Sequence, residues 1–434
     1  MRRGLWTYWG LVQAGYSVMG AVVIPYLRTL GLDPGRIGLY QSVTGVAGAA
    51  GSLGGGVVGD RWGRREAIML ARLLHLTSVL VLLVARRWEA VLAVAVLSGL
   101  AQMAGPAFSA LVAGESGGSS RATFFGGLQT VAWVMGAALP LAGGFLADRW
   151  GARVTIAVSL PFFVAALAVA AALGKPRPAG APNATVPAPG ALSGAAPAER
   201  VWAVAPGSPE PRGAARWRAA WEGMWVPGMR STVVGLTAGQ LVNAVANGII
   251  NLALPLWVQD YLGGGYAEIA GASSAVAVGS AVTIYLGGRL ADRYGRKRMG
   301  TFCLLWAGLV FAAAPLVRTV WHLYVLLFLL CLVANAVGPA LSAVSAECVR
   351  LSVRATFSGL LQGLWWGGLA AGSALGGLLY TRGSAWVWMA IMVGGVLQVL
   401  IWQVLVRETL GREVPEPEAV APAAALAPAR GTES

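Results

Sequence analysis

Twelve stretches of the chain stay apolar for about the length that one membrane-crossing helix requires, roughly 20 residues. They fall near 5–28, 37–58, 67–85, 89–114, 123–147, 154–174, 231–258, 267–290, 300–317, 320–346, 355–380 and 384–406. No Asp or Glu stands in the middle of any of them. From Lys175 to about Pro211 the pattern dissolves into Pro, Ala and Gly, and it does so again after Arg407. Segments of that composition cannot bury a core. The pattern therefore predicts an all-α polytopic membrane protein with an N-terminal six-helix bundle over 1–174 and a cytoplasmic linker over 175–230. A C-terminal six-helix bundle follows over 231–406, and then a disordered tail over 407–434. Within the linker, Trp217, Trp221 and Trp225 recur every four residues among arginines, which predicts an amphipathic helix over 212–226. Such a helix can lie among lipid headgroups or pack under the bundle, and the sequence leaves both open.

The second half repeats the first. Gly56, Asp60, Arg61, Gly63, Arg64 and Arg65 return 232 positions later as Gly288, Asp292, Arg293, Gly295, Arg296 and Lys297. Gly105-Pro106-Ala107 returns as Gly338-Pro339-Ala340, and Arg121-Ala122-Thr123-Phe124 as Arg354-Ala355-Thr356-Phe357. Degraded copies of the first motif sit at Gly143-Gly144 with Asp148-Arg149-Trp150-Gly151, and at Gly376-Gly377 with Thr381-Arg382-Gly383. An odd number of helices separates successive copies, so they face opposite sides of the membrane. Two pseudo-symmetric bundles, each of two inverted three-helix units, follow from that spacing.

Composition agrees with this reading. Hydrophobic residues make up 57% of the chain and charged residues 12%, about half the charge of a soluble domain. The net charge of +14 could suggest a nucleic-acid binder, but no clustered basic face is present. Of the 32 Lys and Arg, eight fall on loops of one side, Arg72 falls within a helix, and the remaining 23 fall on the other side. The positive-inside bias then places both termini in the cytoplasm, in a multi-pass cell-membrane protein. Cys303, Cys331 and Cys348 have no ligand spacing and read as buried packing residues. Arg72 is expected to snorkel to the cytoplasmic interface, and His75 to be a packing residue.

The repeated motif has a physical reading. Paired glycines let a helix approach a neighbouring backbone. An aspartate at the membrane boundary can accept from the N-terminus of a helix in the other half, and the arginines can pair with it or reach lipid phosphate. These residues resemble the loop signature of the major facilitator superfamily, Gly-x-x-x-Asp-Arg-x-Gly-Arg-[Arg/Lys], over essentially the whole membrane portion. The resemblance implies a charge network that latches the halves on the cytoplasmic side. Its members would be Asp60, Arg64, Glu115 and Arg121, with Asp292, Arg296, Glu347 and Arg354. Gly136, Pro140, Gly143 and Gly144 on the fifth helix resemble the superfamily's antiporter signature in part, with Leu139 where a glycine stands before the proline. That implies export.

Polar side chains inside helices point to a substrate cavity. Gln240, Asn243, Asn247 and Asn251 form a stripe on the seventh helix. Gln13 and Ser17 are their counterparts on the first, and Gln102 and Asn335 match on the fourth and tenth. The competing reading is hydrogen-bond glue between helices. With no carboxylate in the helices, a strongly charged solute would lack a counter-charge. The expectation is a secondary transporter, not an enzyme, needing no cofactor or metal. It would be monomeric in lipid and move a small neutral or amphipathic solute, outward, with protons as the candidate coupling ion. A non-transporting sensor on the same fold, or an importer of sugar-like metabolites, are the competing readings.

Overall fold

The computed structural model describes residues 2–115, 121–173, 225–226, 228–336, 338, 341, 344–345, 348–349 and 353–408. The N-terminal half holds α1 (Arg2–Thr29), α2 (Pro34–Arg61), α3 (Arg64–Val84), α4 (Trp88–Leu100), α5 (Ala104–Glu115), α6 (Arg121–Trp150) and α7 (Ala152–Ala172). The C-terminal half holds α8 (Arg230–Leu262), α9 (Tyr266–Tyr294), α10 (Arg296–Ala312), α11 (Val320–Ala334), α12 (Arg354–Arg382) and α13 (Ser384–Leu405). A 3₁₀ turn over Ala101–Met103 joins α4 to α5. Pro106 explains it: the ring offers no N–H to the Gln102 carbonyl and crowds it, so the preceding turn tightens. Counted as one interrupted span, α4 and α5 bring the helices among the described residues to twelve. Most of the expected linker and tail, including nearly all of 212–226, lies outside the described residues. Of the expected amphipathic helix only Trp225 and Val226 are described, and both pack against the C-terminal half.

Four reversals set the topology. Gly63, Gly151, Gly295 and Gly383, one from each copy of the repeat, have φ of 110°, 89°, 94° and 128°. Each immediately precedes a helix: α3, α7, α10 and α13. An L side chain is strained at such φ, so this glycine is required by the turn in all four copies, including the two that lost their charges.

Among the described residues, seven spans are long and apolar enough to cross a membrane on length and composition alone. The helices that miss this measure include α2 and α12, rich in Gly, Ala and Ser. Their positions hold small residues for close helix approach, and both lie where the halves meet. Proline inside α1, α6, α7 and α8 is tolerated, as expected where neighbouring helices surround the freed carbonyls.

Helix contacts follow the repeat. In one half α1 packs on α6 and α7, and α2 on α4; in the other α8 packs on α12 and α13, and α9 on α11. Between the halves the two main seams are α2 on α12 and α6 on α9, which the pseudo-twofold axis exchanges. The apolar core has a revealing shape. At the face where α1, α6, α8 and α12 end, one continuous cluster runs through both halves, from Val22, Leu27 and Ile37 to Leu252, Leu256 and Ile269. At the opposite face, which carries the two charged repeats, the core is split. One cluster around Leu5, Ile68, Phe108 and Ala166 belongs to the first half, and another around Val233, Val344, Phe357 and Trp402 belongs to the second. Among the described residues, the halves thus share one apolar core at one face and keep a core each at the other.

Candidate functional site

Between the halves lies a cavity of about 360 Å³ lined by α1, α6 and α9. Gln13, Tyr16 and Ser17 reach it from α1, Gln129 and Trp133 from α6, and Ser273 from α9. The wall is apolar with a few polar groups, the usual character of a small-molecule site. Of the eight residues expected to line a cavity, Gln13 and Ser17 line this one. Gln102 instead lies at the α2–α12 seam, within 3.5 Å of where a β-carbon on Gly48 would stand, and Trp366 flanks the same point. Asn335 donates to the Ser280 hydroxyl at 2.5 Å, tying the end of α11 to α9. Asn247 donates to the Asn243 carbonyl and side-chain oxygens at 2.9 and 3.0 Å, within α8. Gln240 is half-buried, while Asn243 and Asn251 are exposed. In this conformation Asn243 and Asn247 bond to each other within α8 and Asn335 bonds across to α9, and none of the α8 stripe lines this cavity.

The seams close on glycine. A β-carbon on Gly143 would collide with the Val18 carbonyl of α1, in the same half, whereas one on Gly144 would stand 2.7 Å from the Ala267 Cα of α9, in the other half. The second pair repeats the division. Gly376 faces Ile249 of α8 at 3.0 Å, and Gly377 faces the Pro34 carbonyl of α2 at 2.7 Å. The first glycine of each pair packs its own half and the second packs the partner half. Gly136 and Pro140, from the same stretch of α6, line the cavity.

Charge reinforces the joined face. The Asp148 carboxylate accepts from the backbone N–H of Tyr266 at 3.0 Å and of Ala267 at 2.9 Å, the first residues of α9. Gly265 N–H bonds to Glu268 at 2.8 Å. Together they satisfy three donors that a helix start leaves open. Asp260 at the end of α8 pairs with Arg28 of α1 at 3.5 Å and accepts from the Tyr380 hydroxyl of α12 at 3.0 Å. Arg153 donates to the Tyr26 hydroxyl at 2.9 Å.

Comparison with known proteins names this architecture. The sequence profile of the Major Facilitator Superfamily matches residues 7–235 and 236–432, two halves that meet inside the first helix after the linker. The chain belongs to the Major Facilitator Superfamily. It is a multi-pass membrane protein of a transporter family. The crystal structures of the nucleoside transporter NupG and of a D-xylose-proton symporter superpose with TM-scores of 0.70 each. Identities are 13% and 14%, covering 94% and 95% of this chain and 100% and 99% of those chains. A class H tetracycline resistance protein from Pasteurella multocida is 29% identical over 126 residues, 29% of this chain and 31% of that protein. The chain thus matches less than a third of that relative's length.

Against the latch that the superfamily signature implies, the structure is informative where it speaks. The side chains of Asp60, Glu115, Arg121, Asp292 and Arg354, and Glu347 entirely, lie outside the described residues, as do the surroundings of Gly56 and Gly288. Arg61, Arg64 and Arg293 are exposed, and Arg293 lies over the Tyr294 ring at 5.6 Å. The last residue of each signature has a different task. Arg65 donates to the Ala170 and Ala171 carbonyls at the end of α7, and Lys297 donates to the Gln403 carbonyl at the end of α13 at 2.9 Å. A cation at a helix C-terminus suits the exposed carbonyls and the dipole. Arg296, half-buried, and Lys297 also offer their N–H groups to Glu408 at 3.2 and 3.0 Å, capping the start of α10.

One sequence expectation is corrected outright. Arg72 does not snorkel: it is 3% exposed, inside the N-terminal bundle, with its guanidinium 3.5 Å from the Tyr16 hydroxyl. His75 beside it is equally buried, with its ring 4.7 Å from Tyr16 and 4.4 Å from Phe163. The free cysteines Cys303, Cys331 and Cys348 are all buried. Asp148 stood out in the sequence as a worn copy of the motif, following Gly144 at the spacing by which Asp60 follows Gly56, but its role as a helix cap was not legible there.

Proposed function

We propose that this protein is a secondary transporter that moves a small amphipathic solute by alternating access, in the direction of export. The observation that carries the reading is the shape of the core among the described residues, continuous through both halves at one face and divided at the other, with a largely apolar cavity that carries a few polar groups between them. Two rigid bundles in that relation need only rock about the cavity to exchange which face is joined. Export is supported by the partial antiporter signature on α6 and by the likeness to a tetracycline resistance protein. The divided face is cytoplasmic on the charge bias, with both termini on that side and the protein in the cell membrane. Proton coupling would then draw on carboxylates at the boundaries, Asp60, Asp148, Asp260 and Asp292, because no helix centre carries one.

Reconstitution tests this. Vesicles containing the purified protein are loaded with candidate drugs, dyes and sugars, and efflux and uptake are followed with and without a pH gradient. Movement of an amphipathic compound that is faster with the gradient is the expected result. Saturable binding without flux in either direction, by protein that remains folded, would favour the sensor reading instead.

A further inference from the structure

A guanidinium buried inside a membrane bundle is costly unless an anion accompanies it. Arg72 sits on α3 two turns beyond its start at Arg64 and is enclosed by the bundle, with 3% exposure. Its electrostatic neighbours are the phenols of Tyr16 and Tyr8, and among the described residues no carboxylate pairs with it. The bond to Tyr16 is long, at 3.5 Å, and the guanidinium carbon stands 5.8 Å from the Tyr16 ring centre. Among the described residues its Nε has no partner, and one turn along α3 neither ring nitrogen of His75 has one either. The pocket therefore holds a positive charge and polar capacity that the protein itself leaves unused. Buried polar groups are normally satisfied, which makes the coincidence of three unsatisfied nitrogens on one helix face informative.

One side chain reaches both this pocket and the cavity. Tyr16 presents one side to the cavity, between Gln13 and Ser17, and the other to Arg72 and His75. We propose that Arg72 is the counter-charge for an acidic group on the transported solute, a carboxylate that docks at the Tyr16 hydroxyl. Tyr16 accepts from Arg72 and donates to the carboxylate, so the guanidinium acts through the phenol while the cavity wall stays closed around the charge. This rests on the transporter reading and revises one part of it: the solute is an amphipathic anion, and the argument for a neutral one falls with the burial of Arg72. The missing carboxylates in the helices fit the same picture, because an acidic partner for Arg72 within the protein would compete with the solute.

Two matched probes test the proposal: 2-naphthoate and its neutral amide, 2-naphthamide, bound to the full-length protein in lipid nanodiscs and measured by calorimetry. Wild type is expected to prefer the carboxylate by roughly 10- to 100-fold, the range for a hydrogen bond to a charged group. Arg72→Gln and Tyr16→Phe should each remove the preference, and Arg72→Lys should retain part of it. A melting curve separates this from a structural role. Arg72→Met should melt at or above the wild-type temperature, because it removes an uncompensated buried charge, whereas a structural tie would make it melt lower. Equal affinity for both probes, absence of naphthoate binding, a preference that survives Arg72→Gln, or a lowered melting temperature in Arg72→Met would each overturn the proposal. Failure of the transporter reading looks different: naphthoate would bind with the stated preference, yet vesicles would move neither compound.

Discussion

The two seams that join the halves are related by the pseudo-twofold axis, yet they are finished differently. At the α6–α9 seam, Gly144 lies against Ala267, and Asp148 from the first half caps the start of α9 in the second. At the α2–α12 seam, Gly377 lies against Pro34 and Gly38, but Thr381 stands where the carboxylate would be and bonds to its own Leu378 carbonyl. There α2 caps itself, with Asp33 accepting from Arg36 N–H at 3.1 Å. The shared device is the glycine contact, and the borrowed cap is an addition to one seam. Opening the joined face must therefore uncap α9 but leave α2 capped, so the two seams resist opening by different means.

The largest effects are expected where that shared device is broken. Gly144→Val and Gly377→Val each place carbon atoms inside 3 Å of a backbone across the seam. Overpacking of this kind costs about 1–3 kcal/mol, enough to move a conformational population roughly 5- to 150-fold away from the joined face. If the glycines are the common element, accessibility labelling of cysteines placed on the joined face should rise comparably in both variants. A rise in one alone would mean the seams are not equivalent even in their packing.

Next in size is the cap. Asp148→Ala should favour separation of the joined face by about 0.3–1 kcal/mol, the range for a carboxylate at an exposed helix start, and the effect should weaken in high salt. Asp33→Ala, at the equivalent end of α2, should lower thermal stability by about 1 kcal/mol while leaving the labelling ratio between faces unchanged. A shift in that ratio for Asp33→Ala would erase the distinction between a borrowed cap and a local one. The smallest effect belongs to Arg28→Gln. Its pair with Asp260 is 36% and 34% exposed, and such pairs contribute about 0–1 kcal/mol. Transport rate should change less than twofold in a proteoliposome assay.

Much of the fold could be read before the structure, and the reasons differ by feature. The helix runs were legible because a bilayer demands length and apolarity, and the break between α4 and α5 is written in Gly105-Pro106. The repeat was legible because backbone needs persist: Gly63 and Gly151 keep the same positive φ although the charges around Gly151 have decayed. Asp148 was visible only as a worn copy, since the loss of a second arginine at Ala152 concealed that its carboxylate still sits on a helix start. Arg72 was misjudged because a helix in isolation does not reveal its rotation. Snorkelling and burial differ only in which neighbours surround that turn of α3. The cavity polar set was legible only in small part for a related reason. Gln13 and Ser17 line the wall, while Asn335 found Ser280, and a list of polar positions does not say which of them bond to one another first.

The central claim is that the two halves rock as units, exchanging one joined face for the other. Trp62 and Tyr294, 232 positions apart at the ends of α2 and α9, are both exposed on the divided face, and Trp150 and Tyr261 are exposed on the joined face. Spin-label distances across each pair, in wild type and in Gly144→Val, test the claim without knowledge of the solute. The account predicts that the variant lengthens the 150–261 distance and shortens the 62–294 distance together. Lengthening of 150–261 with no change at 62–294 would show a seam that merely loosens, and would contradict it.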